Sequence, residues 1–159
     1  MQLSNENYNT GDNTGEIRVA IVGLGLIGGS IARRLSMRGC SVSAFDIDED
    51  ALASAIAQGA AASVAIWPHL SVDAHSEEIS STAQTLAKGE NSAIWSSLGQ
   101  CEAVFVCTPP EYAAGAVRLL RAFTNAVITD VASVKSPVMR TVDDPRFVGG
   151  HPMAGSEKT

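Results

Sequence analysis

The sequence predicts an α/β protein with one doubly wound parallel sheet. Residues 19–22 are uniformly apolar rather than alternating, which is typical of a parallel strand buried on both faces. A glycine-x-glycine-x-x-glycine turn follows at residues 23–28. A second apolar run, residues 41–45, ends at Asp46, 23 residues beyond the first glycine. This is close to the offset of about 20 at which dinucleotide-binding units carry an acid. This order of strand, turn, helix, strand and acid predicts a fold of the Rossmann type.

Each glycine of the turn has a physical purpose in such a unit. Gly23 permits the tight turn, Gly25 lets the backbone approach a pyrophosphate, and Gly28 lets the helix pack on its strand. The helix N-terminus directs free N–H groups and a partial positive charge at the phosphates. We therefore predict that these glycines, with Leu26 and Ile27 between them, bind the cofactor.

Two helices are predicted to join the first three strands. The first helix, over residues 25–38, ends at Gly39, and the second, over residues 51–58, ends at Gly59. A short third strand follows at residues 62–66. This βαβαβ order implies a parallel sheet with right-handed crossovers.

Two details of these helices can be read from residue spacing. Ile27, Ile31 and Leu35 recur at helical spacing in the first helix and are expected to face the sheet. Asp48 or Asp50 can cap the second helix, because a carboxylate accepts hydrogen bonds from the first free N–H groups.

Residues 67–100 show the weakest pattern in the chain. This segment is rich in Ser, Thr and Ala, and it must carry the chain from the third strand to the far side of the first. Two helices are predicted within it, near residues 77–87 and 92–98. His69 and His75 have no partner residues at metal-ligand spacing, so we interpret both as surface positions without function.

The last third of the chain resumes the alternation. Ala113, Val117 and Leu120 share one face of a helix predicted over residues 111–123, and Pro137 suits the first turn of another over residues 137–142. The strands predicted for the whole chain span residues 17–22, 41–45, 62–66, 103–107, 126–129 and 147–148.

Composition narrows the class of protein. The 159 residues suit one domain, predicted over residues 16–159, after a polar tail at 1–15 that is expected to be disordered. The net charge is −6 and the basic residues are scattered, which argues against nucleic acid as a partner. No apolar run is long enough for a membrane span or placed as a secretory signal.

The cysteines indicate a reducing compartment. The chain has three, Cys40, Cys101 and Cys107, which is neither a disulfide framework nor a zinc pattern. We therefore expect no metal and a cytoplasmic location. Cys107 is interpreted as a buried packing residue, because free cysteines are commonly buried.

Ligands of an open α/β sheet collect beyond the carboxyl ends of its strands. Here those ends carry Asp46, the pair Thr108 and Pro109, and Asp130, while His151 follows the last strand. We predict that these strand ends gather at one edge, and that Asp46, Thr108, Pro109 and Asp130 bind the cofactor.

Asp46 favours NAD over NADP. A 2′-phosphate beside this carboxylate would cost about 1 kcal/mol per unit charge at 4 Å in water, and about 4 kcal/mol at an effective dielectric of 20. Residues 47–50 supply no arginine to offset that repulsion. The cofactor is therefore predicted to be NAD.

Two further stretches carry a family resemblance. Residues 130–135 read D-V-A-S-V-K, and residues 149–157 read G-G-H-P-M-A-G-S-E. With the glycine turn, these stretches resemble the prephenate/arogenate dehydrogenase family of tyrosine biosynthesis. The likeness runs from residue 17 to the end of the chain and covers the nucleotide-binding half of that family.

The resemblance implies an NAD-dependent oxidative decarboxylation of a cyclohexadienol, prephenate or arogenate. By the family pattern, His151 binds the ring hydroxyl and takes its proton, while Ser133 hydrogen-bonds the hydroxyl, the imidazole or the nicotinamide amide. Family members continue into a helical domain that dimerises and closes over the substrate. We therefore expect these 159 residues to bind NAD but to turn over poorly, with homodimerisation belonging to the longer protein.

Two other classes of protein remain open from the residues. One is another hydride-transfer enzyme, of the β-hydroxyacid dehydrogenase type, which shares the glycine turn and the broken fourth strand. The other is a non-catalytic module that senses NAD, which has no need of a histidine after the sixth strand.

Overall fold

The computed structural model describes residues 16–131 and 142–150, which are organised around a parallel sheet. In this part of the chain the sheet has six strands, in the order β3-β2-β1-β4-β5-β6, and each pairing is parallel. The strands are β1 (Arg18–Val22), β2 (Ser41–Asp46), β3 (Ser63–Ile66), β4 (Ala103–Val106), β5 (Val127–Asp130) and β6 (Phe147–Gly149). The order confirms the predicted crossing from the third strand to the far side of the first, and with it the Rossmann-type fold.

Helices join the strands where the sequence predicts them. Gly39 and Gly59 have positive φ angles of 83° and 64°, as expected of the glycines that follow helix ends. The Asp48 carboxylate accepts hydrogen bonds from the N–H groups of Asp50 and Ala51, so Asp48 is the cap. The α-helices of the described residues are α1 (Leu26–Ser36), α2 (Glu49–Ala57), α3 (Ser76–Lys88), α4 (Ser92–Ser97) and α5 (Pro110–Leu120), and a short 3-10 helix (Leu98–Gln100) follows α4.

The sheet has an apolar layer on each face. Along β1, Val19 and Ile21 belong to one buried cluster, and Ala20 and Val22 belong to the other, because successive side chains of a strand point to opposite faces. Helices α1 and α2 cover the first face, and α3, α4 and α5 cover the second.

Aromatic packing anchors the segment over residues 67–100. Trp95 of α4 is 1% exposed, and its ring centroid lies 4.8 Å from that of Phe45, 5.5 Å from that of Trp67 and 5.2 Å from that of Phe123. The segment is therefore packed against one face of the sheet and is part of the hydrophobic core. Both predicted helices are confirmed, as α3 and α4.

The start of β6 is tied to the end of α5. Arg121 forms a salt bridge with Asp144 and donates from Nη1 to the Ala126 carbonyl oxygen at 2.6 Å. The backbone N–H of Arg146 donates to the same carboxylate at 2.8 Å. Burial acts to raise the pKa of Asp144, but these hydrogen bonds and the charges of Arg121 and Arg146 lower it below its ordinary value.

One predicted contact is wrong, and two predicted segments lie wholly or mostly outside the residues that the structure describes. Ile27 is 46% exposed rather than packed on the sheet, although Ile31 and Leu35 do pack there, because the first turn of α1 lies beyond the strand ends. The predicted tail at residues 1–15 and most of the predicted helix at 137–142 lie outside the described residues. Within the described ranges, no helix has the length and hydropathy needed to cross a lipid bilayer.

Candidate functional site

A cavity of about 610 Å³ opens at the carboxyl edge of the sheet, on both sides of the glycine turn. This volume is in the range of small-molecule and cofactor sites. The walls come from the turn itself, the end of β2, the loop after β3 and the end of β4. They are formed by Val22, Gly23, Gly25, Ile27, Asp46, Ile47, Trp67, Pro68, His69, Leu70, Cys107, Thr108, Pro109, Pro110, Tyr112 and Val131.

Two glycines of the turn are required by the packing of the protein itself. Gly23 has a φ of 94°, and a Cβ there would lie 2.8 Å from the carbonyl oxygen of Cys107. A Cβ on Gly28 would collide with the carbonyl oxygen of Gly23 and lie 3.0 Å from the Cβ of Cys107. These contacts bring α1, β1 and the end of β4 together.

Gly25 differs, because a Cβ there would meet no atom within 4 Å. It caps α1, which has neither a side-chain cap nor an acidic residue in its first turn. The first N–H groups of the helix are therefore available, and a side chain at Gly25 would occupy the space through which an anion approaches them. The turn thus fits the pyrophosphate of a dinucleotide.

Asp46 lies in the cavity wall at the end of β2, and two backbone groups orient its carboxylate. Oδ2 accepts from the N–H of Leu24 at 2.5 Å, and Oδ1 accepts from the N–H of Asp48 at 2.9 Å. A carboxylate has about four acceptor positions, so it can also accept from ribose hydroxyls. Among the described residues that line the cavity there is no Lys or Arg.

The end of β4 supplies a hydroxyl that has no partner within the described residues. Thr108 Oγ1 is buried and makes no hydrogen bond there, although Thr108 lines the cavity. Buried hydroxyls are normally satisfied, and an exception needs an explanation such as a ligand. A polar group of the cofactor fits this role. Within the described ranges, no cluster of His, Cys, Asp and Glu could hold a metal ion.

The sequence profile of the prephenate dehydrogenase nucleotide-binding domain matches residues 69–159, which is more than half of the chain. The chain belongs to this family. The profile of the 3-hydroxyacyl-CoA dehydrogenase NAD-binding domain also matches, over residues 18–105. The cofactor of the domain is NAD, as predicted.

Solved structures show the same fold. Arogenate dehydrogenase from Synechocystis is 24% identical, with a TM-score of 0.61 over 89% of this chain and 42% of that one. Prephenate dehydrogenase from A. aeolicus, in complex with hydroxyphenyl propionate and NAD+, is 23% identical, with a TM-score of 0.64 over 92% of this chain and 45% of that one. (S)-3-Hydroxybutyryl-CoA dehydrogenase from Ralstonia eutropha is 17% identical, with a TM-score of 0.54 over 86% and 49%. This chain spans less than half the length of each.

The structure brings most of the predicted cofactor residues of this family member to one cavity. The cavity is lined by Gly23, Gly25, Ile27, Asp46, Thr108 and Pro109, and Gly28 packs against Gly23 and Cys107 of its wall. Leu26 does not line the cavity and is 94% exposed. Ser133 and His151 lie outside the described residues, so their predicted roles stay predictions.

Asp130 lies differently from what its predicted role suggests. It is 1% exposed, does not line the cavity, and accepts a hydrogen bond from the N–H of Gly150. The neighbouring Val131 lines the cavity instead. Direct contact between the Asp130 carboxylate and NAD stays a prediction, whereas its bond to Gly150 is a feature of the fold.

Sequence reasoning missed the wall built by the loop after β3. Trp67, His69 and Leu70 line the cavity together with Ile47 and Tyr112. His69 is exposed, as the prediction of a surface position requires, but it also lines the cavity. The available signal was the parallel order of the sheet, since the end of β3 must lie at the same edge as the ends of β2 and β4.

We expect Asp46→Asn to narrow the preference for NAD over NADP by about tenfold, because removing the charge removes a repulsion of about 1–4 kcal/mol. The check is isothermal titration of the 159-residue chain with both dinucleotides. Asp48→Asn is the matched control, since Asn caps a helix as well as Asp and Asp48 does not line the cavity. An unchanged ratio of affinities in Asp46→Asn would contradict the assignment of Asp46.

We expect Cys107 to be inert to thiol reagents in the folded protein. Burial, and secondarily the charge of Asp130, raises the pKa of Cys107 to about 12 from an ordinary value near 9. Because the thiolate is the reactive form, alkylation at pH 8 should be roughly a thousandfold slower than in the denatured chain. Mass spectrometry of peptides after timed iodoacetamide treatment measures this rate. Equal labelling of Cys107 before and after denaturation would show that the thiol is accessible and ionised.

Proposed function

We propose that this chain is the NAD-binding part of an enzyme that oxidatively decarboxylates prephenate or arogenate, a step of tyrosine biosynthesis. The observation that carries this proposal is the family match over residues 69–159, because that range contains the two specific stretches at 130–135 and 149–157. The solved relatives from Synechocystis and A. aeolicus are an arogenate and a prephenate dehydrogenase, which supports the same pair of substrates.

The residues divide the work between holding NAD and handling the substrate. NAD, when bound, accepts the hydride. The N–H groups after Gly25 hold its pyrophosphate, and Asp46 holds a ribose. Thr108 Oγ1, which follows β4 and has no hydrogen-bond partner among the described residues, offers a hydrogen bond to the same ligand. The ends of β5 and β6 are then left for the substrate.

His151 acts as the general base in this proposal. Its imidazole takes the proton of the ring hydroxyl as the hydride leaves the carbon that bears it, and Ser133 hydrogen-bonds the same hydroxyl. The carboxylate on the opposite carbon departs as carbon dioxide, and the electrons of the broken bond complete the aromatic ring. Imidazole suits this task because it titrates near neutral pH.

A second candidate is a dehydrogenase of 3-hydroxyacyl-CoA substrates. The profile of that family matches residues 18–105, which include the glycine turn and Asp46. Those features hold the dinucleotide in either class of enzyme, so they do not choose between them. The stretch at residues 149–157 lies outside that match and favours the first candidate.

The deciding experiment is a substrate comparison with the native polypeptide that contains this chain. NADH formation is followed with prephenate, arogenate and 3-hydroxybutyryl-CoA, and the carbon product is identified by mass spectrometry. We expect NADH and a decarboxylated aromatic product with prephenate or arogenate. Turnover of 3-hydroxybutyryl-CoA, with neither cyclohexadienol consumed, would overturn the proposal in favour of the second candidate.

Two properties of the whole protein belong to this proposal. The three cysteines are free thiols, which supports a reducing compartment such as the cytoplasm. Homodimerisation is proposed for the native polypeptide, through a helical domain of the kind that the family carries.

A further inference from the structure

We propose that Asp130 is a positioning residue for His151, because it fixes the backbone of Gly150, the residue that precedes His151. This inference rests on the proposed function of His151. It gives the Asp130 carboxylate a task at the end of β5 other than touching the cofactor.

The carboxylate and the backbone of Asp130 hold Gly150 together. The N–H of Gly150 lies 3.1 Å from the carbonyl oxygen of Asp130 and 3.2 Å from its Oδ1, and it donates to both. Asp130 is 1% exposed, so water does not compete for these acceptors. A hydrogen bond to a buried charged acceptor is stronger than one between neutral groups.

The approach of the two strand ends is as close as glycine allows. A Cβ on Gly150 would lie 2.6 Å from the carbonyl oxygen of Asp130 and 2.7 Å from Oγ1 of Thr129. Any larger residue would push this backbone away from β5. Gly150 precedes His151 directly in the sequence, and consecutive Cα atoms are about 3.8 Å apart, so a shift of Gly150 carries the start of His151 with it.

The rest of β6 is tied down in the same way. Its paired residues run from Phe147, opposite Ile128, to Gly149, opposite Asp130. At the other end the N–H of Ile128 donates to the carbonyl oxygen of Arg146 at 3.0 Å. Both ends of β6 are therefore anchored, and Asp130 provides the anchor next to His151.

Asp130 also connects this strand end to the wall of the NAD cavity. It pairs with Val106 of β4, the residue before Cys107, and its charge contributes to the raised pKa of the Cys107 thiol. Cys107 lines the cavity. One buried carboxylate thus lies between the residues that surround NAD and the peptide that leads to the proposed base.

The test uses three variants of the native polypeptide. Asp130→Asn keeps an oxygen that accepts from Gly150, Asp130→Leu keeps the size but removes the acceptor, and Gly150→Ala forces the strands apart. We expect Asp130→Asn to keep kcat within about threefold. The other two should lower kcat by about 10- to 100-fold, as misplacement of a catalytic group by about 1 Å does, with the KM for NAD changed less than about threefold.

Matched controls separate positioning from general damage. Asp143→Leu replaces an exposed aspartate near β6, and Gly89→Ala adds a Cβ whose nearest atom is 3.4 Å away, so both should keep wild-type kcat. The decisive comparison is between Asp130→Asn and Asp130→Leu. If the substitutions only damaged the fold, the KM for NAD would change together with kcat. If Asp130 positions His151, kcat falls in Asp130→Leu but not in Asp130→Asn, and the KM for NAD is kept in both.

A second measurement does not depend on turnover or on the Leu variant folding. In the 159-residue chain with isotope-labelled histidine, the ring signal of His151 is assigned by its absence in His151→Asn. We expect that signal to shift in Gly150→Ala and to stay in place in Asp130→Asn and Gly89→Ala. An unmoved signal in Gly150→Ala would overturn the inference.

The inference and the proposed function can fail separately. If His151→Asn keeps full turnover while Gly150→Ala moves the His151 signal, the proposed function fails and positioning stands. If His151→Asn abolishes turnover while Asp130→Leu and Gly150→Ala match wild type, positioning fails and the function stands. Equal loss in Asp130→Asn and Asp130→Leu would also overturn the inference, because it would show that acceptance from Gly150 is not what matters.

Discussion

Replacing Gly28 by alanine is expected to abolish measurable NAD binding and to lower the free energy of unfolding by about 3 kcal/mol. The added Cβ would collide with the carbonyl oxygen of Gly23 and press on the Cβ of Cys107. Neither the backbone of the turn nor the end of β4 can move without displacing the other. The N-terminus of α1 would therefore move away from the pyrophosphate, and its N–H groups would no longer point at the phosphate oxygens.

A glycine elsewhere in the chain provides the control for this substitution. Gly115 lies inside α5, and a Cβ there would meet only the Cβ of Ala74 at 3.7 Å and Cδ1 of Leu70 at 3.8 Å, which is ordinary contact. Gly115→Ala should therefore stabilise the protein by about 0.5–1 kcal/mol, because alanine is the better helix former. Urea unfolding and isothermal titration with NAD measure both effects. Wild-type affinity in Gly28→Ala would show that the turn tolerates a side chain.

The order of helices and strands along the chain was predictable because its signals are local and strong. The buried run before Gly23, the ends of α1 and α2 at Gly39 and Gly59, and the cap at Asp48 each lie within a few residues of the feature they determine. Short glycine and aspartate signals of this kind act through backbone geometry and first-turn hydrogen bonds, which the rest of the fold alters little.

The direction of individual side chains was harder to predict. Helical spacing placed Ile27 on the sheet, but the first turn of α1 lies over the strand ends, where the cavity begins. Asp130 ends a strand, and its contact with the cofactor stays a prediction, but its burial follows from the alternation of side chains along β5. The period of two puts it on the same side of β5 as the buried Ile128, which the sequence alone could have indicated.

The wall after β3 depends on tertiary packing. Leu70 lies near Gly115 of α5, and Trp67 packs against Trp95 of α4, so these distant helices hold the loop at the cavity. No spacing within residues 67–70 encodes those contacts. His69 therefore looked like an unpartnered surface residue until the sheet order and the helices placed it.

His151→Asn is expected to lower kcat of the native polypeptide by about 10²- to 10⁴-fold, the usual contribution of a general base. Its affinity for NAD should change less than about threefold, because the cavity proposed for the dinucleotide is lined by Gly25, Asp46 and Thr108. Asn can hydrogen-bond the substrate hydroxyl but cannot take its proton at neutral pH. Loss of kcat with unchanged substrate affinity would therefore separate proton removal from binding.

His75→Asn is the matched control for this substitution. His75 caps α3 without a side-chain hydrogen bond and does not line the cavity proposed for NAD. Because Asn is a good capping residue, turnover should stay at the wild-type level. The pH dependence of kcat is a second test of whether His151 acts as a base. Wild type should lose activity at acid pH, where a base is protonated, and the residual activity of His151→Asn should lack that dependence. Full turnover in His151→Asn would instead contradict the role of His151, because it would show that another group takes the proton. NAD binding without turnover of any substrate in the wild type would favour a domain that only senses NAD.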